Sequence, residues 1–329
     1  MIAASIPSSL KGFFESLDDE LINPVEMLLS DSVDDRIVGA VSLQHICDEE
    51  SVPFLIHALS DSSDDVVFTV VTSLWEIASQ AAVVPLIDCL YSTRSERTRN
   101  EALNALKELV NQDHLLILLD RLTEEDSLLQ AAILILLRKI HDIQALPTVA
   151  PFLESSDDNL RKEAVTTLRY LNRLTHYPPA LKLASDPSVD VRKEAMLTFA
   201  HLDEPEVLES LMSSLLTDES WEVRRNAAQA LERKSIPSSA DSLVKAIHDE
   251  HWQVRKFALK AIQPHVADIY SSNLIPLLCD DYSDVRKEAA LALGSIKSEE
   301  VKSALQQSLH DSDIEVRIAS EKSLAKIQS

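Results

Sequence analysis

The chain has 329 residues, a formal net charge of −23 at pH 7, 45% apolar residues and only 3 glycines. A surface this acidic repels phosphate backbones and anionic headgroups, so the composition argues against a nucleic-acid partner and against docking on a membrane. So few glycines argue against the many tight turns of a β-sandwich or barrel and favour helices joined by short loops.

The amino-terminal stretch lacks the basic lead and the long apolar core of a secretory signal. The longest purely aliphatic run, residues 131–137, is far too short to span a bilayer. The 3 cysteines show no paired spacing, which suits a reducing compartment. We therefore expect a cytoplasmic protein in which residues 1–18 form an N-terminal extension or cap and residues 19–329 form a repeat domain.

A Val-Arg dipeptide, or a variant of it, recurs every 31 or 32 residues along this domain. A fixed period in this range is typical of a stacked architecture in which each repeat packs only on its neighbours. Val67 and Gln130 stand where two of the arginines are due. The sequence therefore predicts ten repeats, whose arginine positions are 36, 67, 99, 130, 161, 192, 224, 255, 286 and 317.

Each repeat is predicted to contain two helices. A small residue follows the arginine at three places and large apolar residues at seven and ten, as in Ala195, Phe199 and Leu202, so one face of this second helix is apolar. A polar residue four places before the arginine, such as Asp157 or Ser188, can cap this helix. A shorter apolar segment, often starting near a proline, forms the first helix.

Aspartates recur six places before most of the arginine positions, in the turn between the two helices. An arginine paired with such a carboxylate across adjacent turns is a structural staple with bidentate geometry. We therefore expect the repeated arginines to hold the array together and not to form a binding site.

The pattern resembles the HEAT repeat family, and more narrowly its HEAT-like subgroup named from phycobilin lyase subunits. Its shared features are an Asp in the turn, Val-Arg at the start of the second helix and a following Ala-Leu, as in CDDYSDVRKEAALALGSI (279–296). The resemblance covers residues from about 20 to 329. It implies an all-α fold, an α-solenoid (superhelix) of about ten HEAT-like helix-turn-helix repeats, with the second helices lining the concave side.

Repeat 2 carries an unusual apolar run around Val67. Phe68 and Trp75 lie seven residues apart on its second helix and therefore share a face. Exposed aromatic residues favour partner binding. Two interpretations are open, an aromatic anchor for a partner or a locally variant core.

The position directly after the arginine should point outward on the inner surface of the solenoid. This column is apolar in repeats 1, 2 and 4, with Ile37, Phe68 and Ala131. In repeats 5 to 9 it is basic, and its members are Lys162, Lys193, Arg225, Lys256 and Lys287. One interpretation is a basic stripe that binds an acidic partner segment or a carboxylate ligand. The other is a solvated face whose cations pair with neighbouring glutamates.

Trp221 and Trp252 lie three places before their arginines in successive repeats. They form either an aromatic rim for a ligand or partner or a contact that closes the seam between repeats. His248, Cys279 and His310 also share one repeat position, but repeats about 8–10 Å apart cannot bring them to the roughly 2.0–2.3 Å that zinc requires. We therefore predict no metal site.

The expected function is a non-enzymatic scaffold or adaptor that binds a protein partner, an acidic or amphipathic segment, on its concave face without a cofactor. The resemblance to the lyase-named subgroup implies an alternative. In that case the protein is a phycobilin lyase subunit or a phycobiliprotein chaperone or disassembly factor, with the propionates of a bilin at the basic column and its rings on the two tryptophans. A metal-dependent enzyme built on the same scaffold is a third reading.

Overall fold

The structure is a computed structural model that describes residues 6–91 and 94–328. Every regular element in these two ranges is a helix, and no strand occurs in them. Within the same ranges, no helix combines the length and the apolarity that crossing a membrane requires.

The described residues form two compact units. The first comprises the residues up to Phe152 together with Tyr170–Asn172, and the second comprises Leu153–Arg169 and the residues from Arg173 onward. The α-helices of the first unit are α1 (Lys11–Glu15), α2 (Asp19–Leu28), α3 (Val33–Ile46), α4 (Val52–Ala58), α5 (Asp64–Ile77), α6 (Val83–Ile87), α7 (Glu96–Leu109), α8 (Leu115–Arg121), α9 (Ser127–Ile140) and α10 (Leu146–Val149).

The second unit continues the alternation of shorter and longer helices. Its α-helices are α11 (Asp158–Leu168), α12 (Val189–Phe199), α13 (Pro205–Thr217), α14 (Trp221–Lys234), α15 (Ala240–Ala246), α16 (Trp252–Ile262), α17 (Ser271–Leu274), α18 (Ser283–Leu293), α19 (Glu299–Ser308) and α20 (Ile314–Gln328). Short 3-10 helices lie before or after the first helices, at Glu49–Ser51, Gln80–Ala82, Asp88–Leu90, Gln112–His114, Ile143–Ala145, Ala150–Glu154, Pro178–Ser185, Pro237–Ser239, Gln263–His265, Asp268–Tyr270 and Ile275–Cys279.

Ten of the described helices begin three residues before an arginine position, as the sequence predicts. These second helices are α3, α5, α7 and α9 in the first unit and α11, α12, α14, α16, α18 and α20 in the second. Asp157 caps α11 by accepting from the backbone N–H of Leu160. The same role expected of Ser188 is wrong, because its side chain makes no cap and its own N–H donates to Asp186.

The apolar stripe of each second helix faces the interior of its unit. In α12 and the turn that follows it, Ala195, Phe199 and Leu202 are buried, at the offsets that the sequence predicts. The small position of repeat 1 holds Gly39, where a Cβ atom would lie 2.5 Å from the backbone nitrogen of Leu28. The small residue therefore lets a neighbouring helix approach closely. Each unit is an all-α solenoid, so the predicted fold class is confirmed.

The first elements are less regular than the second helices. Prolines stand in the first turn of α4 and α10, as expected. In repeat 6, the first element is entirely a 3-10 helix, Pro178–Ser185. Its two leading prolines lack the N–H groups that α-helical hydrogen bonds need.

Candidate partner-binding face

In the second unit, the arginines of the second helices pair with aspartates in the turn between the two helices of the next repeat. Nε and Nη2 of Arg192 lie 2.8 and 3.1 Å from Oδ2 and Oδ1 of Asp218. Nη1 of Arg192 donates to the carbonyl oxygen of Asp186 at 2.9 Å. The same bidentate geometry recurs in Arg161–Asp186, Arg224–Asp249, Arg255–Asp280 and Arg286–Asp311. The expectation that these arginines are structural staples is confirmed; we call this series the Arg–Asp ladder.

The ladder places its charges in a largely buried seam. The side chains of Arg192 and Asp218 are 10% and 7% exposed. The hydrogen bond from Arg286 holds the pKa of Asp311 below its usual value. Both observations indicate ionised pairs that fasten each repeat to the next.

The first unit has this pair at Arg36–Asp61, with Nε–Oδ2 and Nη2–Oδ1 distances of 2.6 and 2.9 Å. The staple expected of Arg99 is not formed. Glu124 stands 25 residues later, where the ladder carboxylate is due, but it accepts from Oη of Tyr91 at 2.5 Å and from Nη1 of Arg121 at 2.8 Å. Among the described residues, Arg99 has no carboxylate within ion-pair distance and donates to the carbonyl oxygen of Arg94.

The position after the arginine lies along one side of the second helices in each unit, and we call this side the second-helix face. In the second unit, all five members of the basic column are half-buried. Its four lysines each contact a carboxylate within 3.0 Å, in the pairs Lys162–Glu163, Lys193–Asp190, Lys256–Asp284 and Lys287–Glu315. These four lysines therefore match the interpretation of a self-paired face.

Arg225 differs from the four lysines. Its Nε and Nη2 donate to the side-chain oxygen of Asn226 at 3.0 and 2.7 Å, and its guanidinium lies 5.7 Å from the ring centre of Trp221. In the part of the chain that the structure describes, no carboxylate lies within ion-pair distance of it. Arg225 is therefore the member of the column whose charge is most available to a partner.

The two tryptophans contact the neighbouring repeats. The ring of Trp221 stacks on His251 with centroids 3.7 Å apart, and Trp252 stacks on Tyr282 at 5.0 Å. His251 and Trp252 are 6.3 Å apart, which makes the four rings a continuous row. This geometry matches the interpretation of a seam between repeats, because the stacked ring faces point at neighbouring rings.

His251 carries an unsatisfied atom within this row. Its Nδ1 is buried and finds no hydrogen-bond partner among the residues that the structure describes. Burial is the main cause that lowers the pKa of His251, and the cations of Arg224, Arg255 and Arg225 act in the same direction. The ring is therefore neutral near pH 7, because burial disfavours its charged form.

The apolar column of the first unit is partly covered. Ile37, Phe68 and Trp75 are half-buried. The guanidinium of Arg97 lies 3.6 Å from the ring centre of Phe68 and also pairs with Asp65 at 3.0 Å. The structure thus places Phe68 under a cation on the second-helix face. The binding roles of these residues stay predictions.

One groove on this face was not predicted from the sequence. It lies between α7 and α9, has a volume of about 350 Å³ and is bordered by Arg99. Ala131, noted in the sequence as an apolar column member, lines it, but the missing carboxylate of Arg99 is visible only in three dimensions. Its lining residues are Leu90, Glu96, Arg99, Asn100, Leu103, Leu128, Ala131, Ala132 and Ile135.

Metal and thiol chemistry find little support in the described ranges. No group of three or more His, Cys, Asp or Glu side chains there is placed to hold a metal ion. Cys47, Cys89 and Cys279 are free thiols. Burial raises the pKa of Cys89 to about 11, which keeps this thiol protonated and poorly nucleophilic.

A family model described as HEAT repeats matches residues 24–107, 146–232, 208–263 and 240–325. An engineered protein of known structure is 20% identical, with a TM-score of 0.54, over 95% of this chain and 100% of its own. Yeast importin-β (Kap95p) is 12% identical, alone and in a structure with RanGDP, with TM-scores of 0.63 and 0.62 over 99% of this chain. Identities this low show a shared fold alone.

The chain spans about half of the importin-β structures, since it covers 54% of their length. No curated protein matches its sequence. The match to HEAT repeats does not extend to the subgroup named from phycobilin lyase subunits, so that narrower resemblance stays a prediction.

Proposed function

Because this chain belongs to the HEAT repeat family, we propose that it is a non-enzymatic scaffold or adaptor that binds a protein partner on its second-helix face. The family resemblance implies that this face lies on the concave side of the solenoid. The observation that carries the proposal is the Arg–Asp ladder of the second unit. It holds successive repeats in a fixed relation, so the face is ordered before a partner arrives and binding loses less conformational entropy.

The partner that suits this face is an acidic or amphipathic protein segment. Arg225 supplies a guanidinium without a carboxylate partner in the described ranges, beside the indole of Trp221. The lysines of the basic column already share carboxylates with their own array. We therefore assign the main electrostatic contact to Arg225, with Lys193 and Lys256 on the flanking repeats.

Apolar contact is assigned to the first unit. Phe68 and Trp75 are half-buried on the second-helix face, with Ile37 in the preceding repeat. Partly buried aromatic side chains beside an arginine have the composition of energetic centres in protein interfaces. The alternative interpretation, a locally variant core, fits the neighbours Val66, Val67 and Val70, which are buried. It fits Phe68 less well, because Phe68 is only half-buried.

A triple charge reversal tests the proposal. Lys193→Glu, Arg225→Glu and Lys256→Glu together should remove a partner from material captured from the native cell, measured by quantitative mass spectrometry against the unaltered chain. Lys182→Glu is the matched control, because Lys182 is an exposed lysine of the first element of repeat 6. Identical captured sets for all three proteins, with unchanged helicity, would rule out this assignment.

The bilin alternative stays a prediction that rests on the family resemblance. The ring faces that would stack on a tetrapyrrole already contact His251 and Tyr282. A bilin at the two tryptophans would therefore have to separate an existing row of rings. New visible absorbance, retained by the protein after incubation with a bilin and gel filtration, would support this alternative over the scaffold.

The metal-dependent alternative and the cytoplasmic location likewise stay predictions. Metal analysis of the purified protein tests the first, and stoichiometric iron or zinc would support it. Fractionation of the native cell tests the second.

A further inference from the structure

The seam between α7 and α9 differs from its neighbours in the first unit. These two second helices pack less closely than the pairs α3–α5 and α5–α7. The opening between them is the groove of about 350 Å³ on the second-helix face. This volume lies at the lower end of the range for ligand pockets.

Near the turns of these two repeats, other contacts replace the Arg–Asp pair that the ladder would form. Glu124 is held by the hydroxyl of Tyr91 and by the guanidinium of Arg121, and both hydrogen bonds lower the pKa of Glu124. Arg121 also pairs with Asp88 of the preceding repeat at 3.2 Å. These contacts join the two repeats without using Arg99.

Arg99 is consequently a ladder arginine without its carboxylate. It is half-buried, and within the described ranges its side chain has one acceptor, the carbonyl oxygen of Arg94. Glu96 also borders the groove, but it is exposed and forms no ion pair with Arg99. In the second unit the equivalent guanidinium nitrogens bind both oxygens of an aspartate. The guanidinium of Arg99 is therefore shaped for a carboxylate that the described part of the chain does not place there.

Apart from Glu96, Arg99 and Asn100, the residues that line the groove are apolar. Leu103 and Ile135 are half-buried, and the side chain of Leu128 is 43% exposed although it is a leucine. The floor is formed by Leu90, Ala131 and Ala132. Covering such a surface with an apolar side chain removes it from water, at roughly 25 cal/mol per Å² buried.

We propose that this groove is a docking site for a partner segment that places one aliphatic or aromatic side chain next to a carboxylate. The apolar wall takes the side chain, and Arg99 binds the carboxylate through a charge-assisted bidentate contact. Charge complementarity selects this occupant over a basic one, because Arg99 has no carboxylate within ion-pair distance among the described residues, whereas Glu96 lies exposed at the border of the groove. The assignment rests on the proposed function and names the partner chemistry at one position of the face.

A displayed library of random dodecapeptides is the probe. After selection on the intact protein, enriched peptides are synthesised and their affinities are measured by fluorescence polarisation. We expect the peptides to share an Asp or Glu within about one helical turn of an apolar residue. Arg99→Gln should weaken binding about tenfold or more, the size expected for the loss of a hydrogen bond to a charged group. Leu128→Glu should weaken binding to a similar extent, because it places a charge in the apolar wall. Lys107→Gln, which removes a charge from an exposed site on the same helix, should change it less than twofold.

A double-mutant cycle separates the contact from indirect effects. Replacing the peptide carboxylate by its amide should weaken binding to the unaltered protein and have no further effect on Arg99→Gln. Independent, additive losses would overturn the proposed contact. Circular dichroism and a thermal melt of each variant show that a loss does not come from unfolding.

Three other outcomes would also overturn the proposed occupant. Peptides whose affinity depends on Arg225 and not on Arg99 would move the docking site to the second unit and leave the scaffold function intact. If the selection yields no peptide whose affinity depends on Arg99, the groove is not a docking site, whatever binds elsewhere on the protein. Self-association of the protein that is lost in Arg99→Gln would make the occupant a second copy of this chain.

Discussion

The two units use the same repeat pattern but join their repeats differently. The second unit continues the Arg–Asp ladder through five pairs, from Arg161–Asp186 to Arg286–Asp311. The described part of the first unit has Arg36–Asp61, and beyond it Val67, Arg99 and Gln130 make no such pair. Where the ladder is complete, the lysines of the second-helix face are paired with carboxylates of the same unit. Where it is interrupted, the face carries aromatic residues and a groove.

This difference shows that a repeat can lose its staple when other contacts replace it. Ser95 of repeat 3 donates to Asp64 of repeat 2 at 2.7 Å, and Arg94 donates to the carbonyl oxygen of Leu59 at 2.9 Å. Both contacts cross the seam that Val67 cannot staple. Because positions near the interrupted ladder do not hold the repeats together, they can contact a partner. We interpret Phe68 and Arg99 in this way.

The largest expected effect comes from removing one ladder carboxylate. Asp218→Ala leaves Arg192 largely buried without its partner, which should cost about 3–5 kcal/mol of unfolding free energy. Glu124→Ala in the first unit is the matched change, at a more exposed carboxylate, and should lower the urea midpoint much less than Asp218→Ala. Urea denaturation of both variants measures the difference. Equal losses would contradict the contrast between the two units.

Adding one methyl group at two helix crossings sharpens the comparison. In Gly39→Ala the new Cβ would lie 2.5 and 2.7 Å from backbone atoms of Leu28 and Pro24, which have to move, at a cost of about 1–3 kcal/mol. In Gly294→Ala the new Cβ would lie 2.6 Å from the hydroxyl oxygen of Ser323, which can rotate away, and 2.9 Å from its Cβ, which requires a smaller shift than the two backbone contacts at Gly39. Thermal melts should show a smaller loss for Gly294→Ala. The reverse order would mean that α2 and α3 pack less tightly than described.

Acid should weaken the second unit through its row of rings. Burial lowers the pKa of His251, so the unfolded chain binds this proton more readily than the folded one. The contribution of His251 is complete above the unfolded pKa of about 6.5 and is lost as the pH falls through the lower folded value. Urea midpoints at pH 7.5 and 5.5 should therefore differ less in His251→Phe. An unchanged pH dependence in this variant would show that the ring is not held neutral.

The smallest effect is expected for a single lysine of the basic column. Lys256 and Asp284 are 25% and 47% exposed, and pairs this accessible are worth about 0–1 kcal/mol. Lys256→Gln should therefore leave the urea midpoint almost unchanged. A loss comparable with that of Asp218→Ala would mean that the column, and not the ladder, holds these repeats together.

Much of the fold could be predicted because the repeat pattern encodes it locally. The turn, the arginine and the small residue recur at fixed offsets, so the starts of helices such as α12 and the pair Arg192–Asp218 follow from the sequence. Each depends on residues within one repeat and its neighbour. One of the two interpretations of the sequence also predicted that the lysines of the basic column pair with carboxylates. The partners of Lys193 and Lys287 differ, because these lysines contact Asp190 and Glu315 and not the adjacent glutamates.

The groove and the row of rings could not be predicted, because they depend on residues outside the repeat pattern. Tyr91 and Arg121 occupy no consensus position, yet they capture Glu124 and leave Arg99 unpaired. His251 lies between the two tryptophans, although nothing in the repeat spacing places a ring there. Such contacts are set by side-chain geometry across a seam, which spacing along the chain does not report.

Photo-crosslinking in the native cell tests directly whether a protein partner binds the second-helix face. A photoreactive phenylalanine analogue replaces Phe68 in the first unit or Gln229, one turn after Arg225, in the second. Leu116 and Ile269 are the matched controls, because these exposed residues belong to first elements of their repeats and are 76% and 75% exposed. We expect a protein adduct at Phe68, at Gln229 or at both, and none at the two controls. Adducts only at Leu116 and Ile269 would contradict this expectation.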